Sequence, residues 1–310
     1  MLARVPGRLL QIIPTLILIG VVVFVLLRLL PGDPASALLG NRATPESLAR
    51  INAQMGFDKP IWVQFLLFLG RLAHGDLGVS VTERIPVTRV ILQRLPVTLC
   101  LVGFAAVIAL VLALPLAFVA ALRQNRLPDL ALRGLFQIGL SSPVFYIGLL
   151  LLGFLGARLH WFPVGGLGQG FWGAVYHLIL PAFTLALSLA AVLMRNLRSA
   201  IIGVLRADYV DFARAKGITP WRVLTGHVLR NSLITTVALF GLNIGVLLGN
   251  SVITENVFAV PGIGGLLVDA IFGRDYPVVQ GVTLVLAVLV SLVFLATDLM
   301  ESWLDPRLHA

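Results

Sequence analysis

The chain has 310 residues, of which 58% are hydrophobic and 12% charged, with a formal net charge of +9 and a mean hydropathy of +0.98. Ordinary soluble domains carry about 25% charged residues, so a protein this apolar has too little polar surface for water, and lipid is its expected solvent. The surplus cations lie scattered between long apolar runs and form no single face, which argues against nucleic acid and for membrane loops on the inner side.

The first apolar run, Leu9–Leu30, follows Arg4 and Arg8 and precedes Ala35-Ser36-Ala37, an outline that imitates a secretory signal. The run exceeds the roughly 7–15 residues of a signal core, so it reads as a retained span, with cleavage as the alternative. A hydrocarbon core about 30 Å thick needs roughly 17–25 apolar residues in helical form. Val97–Leu122, Gly134–Ala157, Leu178–Met194, Leu233–Ile253 and Val278–Thr297 also qualify, predicting an all-α membrane protein with six transmembrane helices. Cations set their direction. Arg123, Arg126, Arg133, Arg195, Arg198, Arg206, Arg214, Lys216, Arg222, Arg230 and Arg307 join Arg4 and Arg8 on one side, against Arg158 and Arg274 in the short loops opposite. The N- and C-termini are therefore expected to be cytoplasmic.

The expected organisation is a first span within 1–30, an extracytoplasmic segment at 31–96, a membrane core at 97–300 and a cytoplasmic tail at 301–310. Segment 31–96 has turn signals at Pro31-Gly32-Asp33-Pro34 and a helix start at Thr44-Pro45-Glu46, where Thr44 suits an N-cap and Pro45 the first helical position. In the third span, Gln137, Ser141 and Ser142 precede Pro143. The proline removes a helical hydrogen bond and predicts a kink, which is either purely structural or bows the helix around a water-filled path faced by Ser141 and Ser142.

The cytoplasmic loop 199–231 reads as a helix–turn–helix. Tyr209, Phe212, Ala213 and Lys216 share a face at helical spacing, Gly217 occupies the left-handed C-terminal position, and Thr219-Pro220 opens a second helix. Such a hairpin either lies on the inner leaflet or docks in the groove of a cytoplasmic partner, with Tyr209 and Phe212 as anchors. In the fifth span, Gly241, Gly245 and Gly249 recur every four residues, a smooth face for close helix contact. Asn243, Asn250 and Ser251 are costly in lipid and should point into the bundle, as interhelical clasps or as the lining of a path. The outer loop 254–277 follows, with Glu255, Phe258 and the Pro261-Gly262 turn.

Enzymatic chemistry finds no support. Lys59 precedes Pro60 and Lys216 precedes Gly217, so no phosphate-binding loop ends in Lys-Ser or Lys-Thr. Gly168, Gly170 and Gly173 match a dinucleotide spacing without a preceding strand pattern, and Ser141 lacks the second glycine of a nucleophile elbow. The histidines show no metal-ligand spacing to one another or to Cys100, the single cysteine.

Several segments together resemble one family. They are Leu29-Leu30-Pro31-Gly32-Asp33-Pro34, Gly56-Phe57-Asp58-Lys59-Pro60, Gly75-Asp76-Leu77-Gly78-x-Ser80, Glu255-x-x-Phe258-x-x-Pro261-Gly262-x-Gly264 and Leu304-Asp305-Pro306-Arg307. With Asp208-Tyr209-Val210 and Ala213-Arg214-Ala215-Lys216-Gly217, they resemble the B-type permease subunit of dipeptide/oligopeptide/nickel ABC importers. In the docking motif itself, Asp211 stands for the usual Glu, Phe212 for Ala, and Arg230 for the closing proline. The resemblance implies a type I importer permease fold in the bacterial cytoplasmic membrane, moving dipeptides or oligopeptides, or else a nickel chelate, glutathione or an opine. It implies Tyr209, Asp211, Phe212, Ala213, Lys216 and Gly217 as the ATPase-coupling element, and Glu255, Phe258, Pro261, Gly262 and Gly264 as an external gate or binding-protein contact. It further implies a second, C-type permease, two ATPase subunits that hold ATP and Mg, an extracytoplasmic solute-binding protein, and no cofactor in this chain. A different class, a secondary transporter driven by an ion gradient, would require intramembrane carboxylates, and Glu255 and Asp298 both stand at span ends.

Overall fold

The structure is a computed structural model that describes residues 5–29, 44–46, 49, 53 and 58–304. The Leu30–Pro34 motif, Gly56-Phe57 and Asp305–Arg307 lie outside the described residues, and at 44–46 Pro45 and Glu46 are helical with Thr44 just ahead of them. The helices are α1 (Val5–Leu29), α2 (Ile61–Ala73), α3 (Val87–Leu122), α4 (Leu127–Ser141), α5 (Val144–Leu151), α6 (Gly170–Leu205) and α7 (Asp208–Ala215). They continue with α8 (Pro220–Arg222), α9 (Arg230–Val257), α10 (Ile263–Phe272) and α11 (Tyr276–Leu304). Leu152–Arg158 after α5 and Val223–Leu229 after α8 are π-helical.

Five of these helices are long and apolar enough to cross a membrane, or six if the bent α4–α5 pair forms one span. Helices α3 and α6 each run 36 residues, about 54 Å at 1.5 Å per residue. They outrun the predicted spans because hydropathy sees only the lipid-thick middle. The polar ends, such as Thr88–Arg94 and Arg195–Ser199, stay helical, and Pro96, just ahead of the predicted start at Val97, lies within α3 as well.

The third predicted span needs correction. It is not one kinked helix; α4 and the α5 segment meet at 106°. Ser142 adopts φ −89°, ψ 134°, because the ring of the following proline clashes with a helical backbone at the preceding residue. Pro14, Pro115 and Pro181 stay inside continuous helices, so a proline alone does not decide the outcome.

The chain divides into two compact units, one comprising 5–97 and 261–289, the other built mainly from 98–260 and 290–310. In the first, Val87, Val90 and Ile91 of α3 pack with Ile263, Leu266 and Ala270 of α10 and with Val278, Val279 and Val282 of α11. Gly281 lets these helices close up, since a Cβ there would stand 2.7 Å from Val87 Cγ1.

The same unit explains the Gly75–Ser80 motif. Gly75 and Gly78 take φ +73° and +85°, a region that a side chain makes costly. They turn the chain so that Ser80 Oγ donates to Asp275 Oδ2 at 2.6 Å, while the Thr82 N–H donates to the same oxygen at 3.0 Å. Both Ser80 and Asp275 are buried. A hydrogen bond to a buried charge contributes about 1.5–3 kcal/mol, so Ser80→Ala should lower stability by that amount, read as an earlier thermal unfolding midpoint. An unchanged midpoint would show that the bond is replaceable.

In the other unit α6 is central, packed against α4, α5 and α9. Its buried residues include Leu185, Ala186, Leu189, Leu193 and Leu197.

Candidate functional site

Helix α7 starts after extended Ala207 and ends in a Schellman motif: Gly217, at φ +77°, gives its N–H to Arg214 O at 2.9 Å, and Ile218 gives its own to Ala213 O at 3.3 Å. Thr219 is extended at φ −60°, ψ 142°, and Pro220 opens the next turn. The helix–turn–helix read from the sequence is thus present, with two differences. The first half, 199–216, which carries no glycine or proline breaker before Lys216 apart from Gly203, is interrupted at Arg206-Ala207 between α6 and α7. The outward face is also not the expected one. Val210 and Ala213 point inward and are buried, whereas Tyr209 is 45% exposed and Phe212 62%. Ala213 is one of the residues that seat the hairpin on the protein.

The outward face is apolar at its centre and charged around it. Lys216 Nζ lies 4.6 Å from the Phe212 ring centroid, a cation–π contact. Asp211 pairs with Arg214 at 3.2 Å along the same helix. Trp221, 74% exposed, joins Tyr209 and Phe212 as a third uncovered aromatic of the hairpin. The sequence opens a second helix at Thr219-Pro220, and the aromatic directly after that pair is the signal that points to Trp221.

The hairpin is joined to α6 through Arg206-Ala207, and the end of α6 is anchored. Arg198 Nε and Nη2 each donate at 2.6 Å to the two oxygens of Asp129. The Asn125 N–H adds a 2.8 Å bond, and Arg133 lies 3.5 Å away. Asp129 is fully buried. About two turns beyond this pair toward the hairpin, Arg206 Nη2 reaches Gln124 Oε1 at 3.2 Å. Neither contact was foreseen, because the partners come from different cytoplasmic loops of the predicted topology.

The remaining candidates are dispersed. Ser141 is exposed and Ser142 half-buried at the α4–α5 break, with Gln137 Nε2 3.4 Å from Ser141 Oγ. Asn243 Nδ2 donates to Leu239 O at 2.7 Å and Ser251 Oγ to Leu248 O at 2.8 Å, both within α9. Asn250 is half-buried. These bonds are back-bonds to the same helix, so they make no interhelical clasp.

Glu255 is fully buried and accepts a 2.6 Å bond from Thr98 Oγ1. Phe258 is also buried, its carbonyl taking the Gly166 N–H at 3.0 Å. Gly262 and Gly264 are buried and Pro261 half-buried, with Gly262 capping α10. Among the described residues no three His, Cys, Asp or Glu side chains gather as a metal site would require.

Residues 113–310 match the family described as the binding-protein-dependent transport system inner membrane component, and residues 1–102 match the N-terminal membrane component of such systems. The chain belongs to this family. It is a multi-pass permease of the bacterial inner membrane. A di/tripeptide transport system permease protein of Pseudomonas aeruginosa is 40% identical to it, and a glutathione transport system permease protein of Salmonella choleraesuis 38%; each alignment covers 100% of this chain and 99% of the relative. Among solved structures, the inward-facing MetNI methionine ABC transporter matches the permease with a TM-score of 0.59 at 18% identity, over 70% of this chain and 97% of that one. That likeness is one of fold.

Proposed function

We propose that this permease forms half of the translocation path of an ATP-driven importer of short peptides. The reading of a peptide substrate is supported by the di/tripeptide relative; the glutathione relative favours the close alternative of glutathione itself. The cargo would arrive on an extracytoplasmic binding protein, and a second, C-type permease would complete the path. Two ATPase subunits would hold ATP and Mg. The 199–231 hairpin would face the cytosol with both termini, and Tyr209, Asp211, Phe212, Lys216 and Gly217 would meet the ATPases while Ala213 seats the helix. Ser141, Ser142, Asn243, Asn250 and Ser251 remain the proposed path residues, and the Glu255–Gly264 turn the proposed outer gate.

One observation carries the coupling assignment: Tyr209, Phe212 and Trp221 stand uncovered on an ordered hairpin joined to α6 through Arg206-Ala207. Buried aromatic anchors dominate interface energies, and three large side chains that the chain itself leaves uncovered suit such a role. The test is Phe212→Asp and, separately, Gly217→Val, each expressed with the co-encoded ATPases. Phe212→Asp puts a charge into the docking surface; Gly217→Val opposes the left-handed turn. Both permeases should fold and reach the membrane, yet capture at least tenfold less ATPase, a loss of about 1.4 kcal/mol of interface energy or more. Unchanged capture by both variants would refute the docking role.

A further inference from the structure

Arg28, Lys59 and Arg71 have no part in the reading above, yet they line one cavity. It has a volume of about 410 Å³ and lies wholly within the unit formed by 5–97 and 261–289. That size is in the range of small-molecule sites, roughly 300–1,000 Å³. Among the described residues, three cations face it against one carboxylate, Asp76, whose Oδ1 already takes the Gly78 N–H at 2.8 Å. Arg28 is held in place: its Nε and Nη2 donate to Gln64 Oε1 at 3.0 and 2.6 Å, and its guanidinium carbon lies 4.7 Å from the Phe24 ring centroid and 6.0 Å from that of Tyr276. A guanidinium at the end of an apolar span reaches the interface, the level at which lipid phosphates lie.

The surroundings identify the kind of anion. Helix α2 has 13 residues, about 20 Å of rise, too short for a hydrocarbon core of about 30 Å. Gln64, Leu67, Phe68 and Arg71 place one of its faces on the cavity at i, i+3, i+4 and i+7. On the adjoining face Ile61, Trp62 and Leu66 are 62%, 66% and 59% exposed. At the same end of α1, Val25, Leu26 and Leu29 are exposed as well. A short helix that turns Gln64 and Arg71 toward a cavity lined by Arg28 and Lys59, beside an apolar face carrying Trp62, suits a position in a membrane interface.

From this combination we infer that the cavity binds the phosphodiester headgroup of an anionic phospholipid, from the leaflet at the C-terminal end of α1. The lipid phosphate meets Arg28, Lys59 and Arg71, while its acyl chains lie along the apolar faces of α1 and α2. The site is independent of the coupling assignment, so failure of either leaves the other standing.

The test uses the full-length permease in its assembled complex, purified in detergent, with wild type compared to Lys59→Gln/Arg71→Gln. Both substituted residues are exposed, and monodisperse elution of the variant confirms folding. Phosphatidylglycerol, phosphatidylcholine and inorganic phosphate are titrated separately, with bound lipid counted by native mass spectrometry and stability followed by thermal unfolding. Wild type should retain phosphatidylglycerol over phosphatidylcholine and gain thermal stability from it. The variant should bind it roughly thirtyfold more weakly, the effect of removing two cations near an anionic surface. Equal phosphatidylglycerol retention by the two proteins, or no preference over phosphatidylcholine, would overturn the proposal. So would inorganic phosphate stabilising wild type as well as the lipid does, since that marks a site for a soluble anion.

Discussion

Replacing Asp129 by Ala should cost the permease roughly 3–5 kcal/mol, the usual penalty for removing one member of a buried ion pair. The carboxylate is fully buried and the Arg198 side chain only 12% exposed. Both carboxylate oxygens are used, by Arg198 twice and by the Asn125 N–H. Once Asp129 is gone, Arg198 keeps its charge in a place that water barely reaches, and this uncompensated charge is the source of the loss. The loss is checked by thermal unfolding of the purified protein. The double variant Asp129→Leu/Arg198→Met supplies the control: it removes both charges and fills the space with apolar groups, an exchange that is often neutral or stabilising. It should recover most of the lost stability. A single variant as stable as wild type would mean that the pair is solvated in the membrane-bound protein. Because the pair anchors the same helix that leads into the hairpin, the single variant should also weaken ATPase capture, while the double variant separates lost stability from lost charge.

Gly241→Val should be the most damaging change in the α9 glycine series. Gly241 is buried, and a Cβ there would fall inside the side chain of Thr297 on α11, with even the Thr297 Cβ only 2.5 Å away. Thr297 cannot swing aside freely, since its hydroxyl donates to Val293 O at 2.8 Å. Forcing extra carbons into such a contact costs about 1–3 kcal/mol, occasionally more. Gly245 is the milder case, with Phe294 Cε1 at 3.0 Å and Val290 Cγ1 at 3.4 Å. Gly249 is the internal control: a Cβ there meets nothing within 4 Å, so Gly249→Ala should be neutral or stabilise by up to about 1 kcal/mol through helix propensity. Unfolding midpoints should therefore rank Gly241→Val below Gly245→Ala and Gly249→Ala at or above wild type. Pairing Gly241→Ala with Thr297→Gly should restore part of the loss. The opposite ranking would show that the α9–α11 contact is looser than the structure has it.

The glycine series also shows how far a pattern can be read. Spacing by four predicts one smooth face across Gly241, Gly245 and Gly249, and the first two do meet α11. The third faces open space, because the pattern records which residues lack side chains and says nothing of where a neighbouring helix ends its contact. The third span repeats the lesson. Pro143 announces an interruption, but the same residue type at Pro14, Pro115 and Pro181 sits in unbroken helix. The residue type alone does not separate a 106° break from a continuous rod.

By itself the sequence determined that lipid is the solvent, roughly where the spans lie, and that the loop after α6 is an ordered hairpin turning at Gly217 and Thr219-Pro220. Those features rest on apolar run length and on the steric limits of single residues, which act over a few positions of the chain. Tertiary structure alone decided that Ser80 meets Asp275, that Asp129 meets Arg198, that Glu255 is an interior residue held by Thr98, and that Ala213 turns inward while Trp221 stands out. Each depends on which distant group arrives to share a dry space. The stability of a buried charge is set by that partner and by its distance from water, neither of which is written in the residues on either side of it.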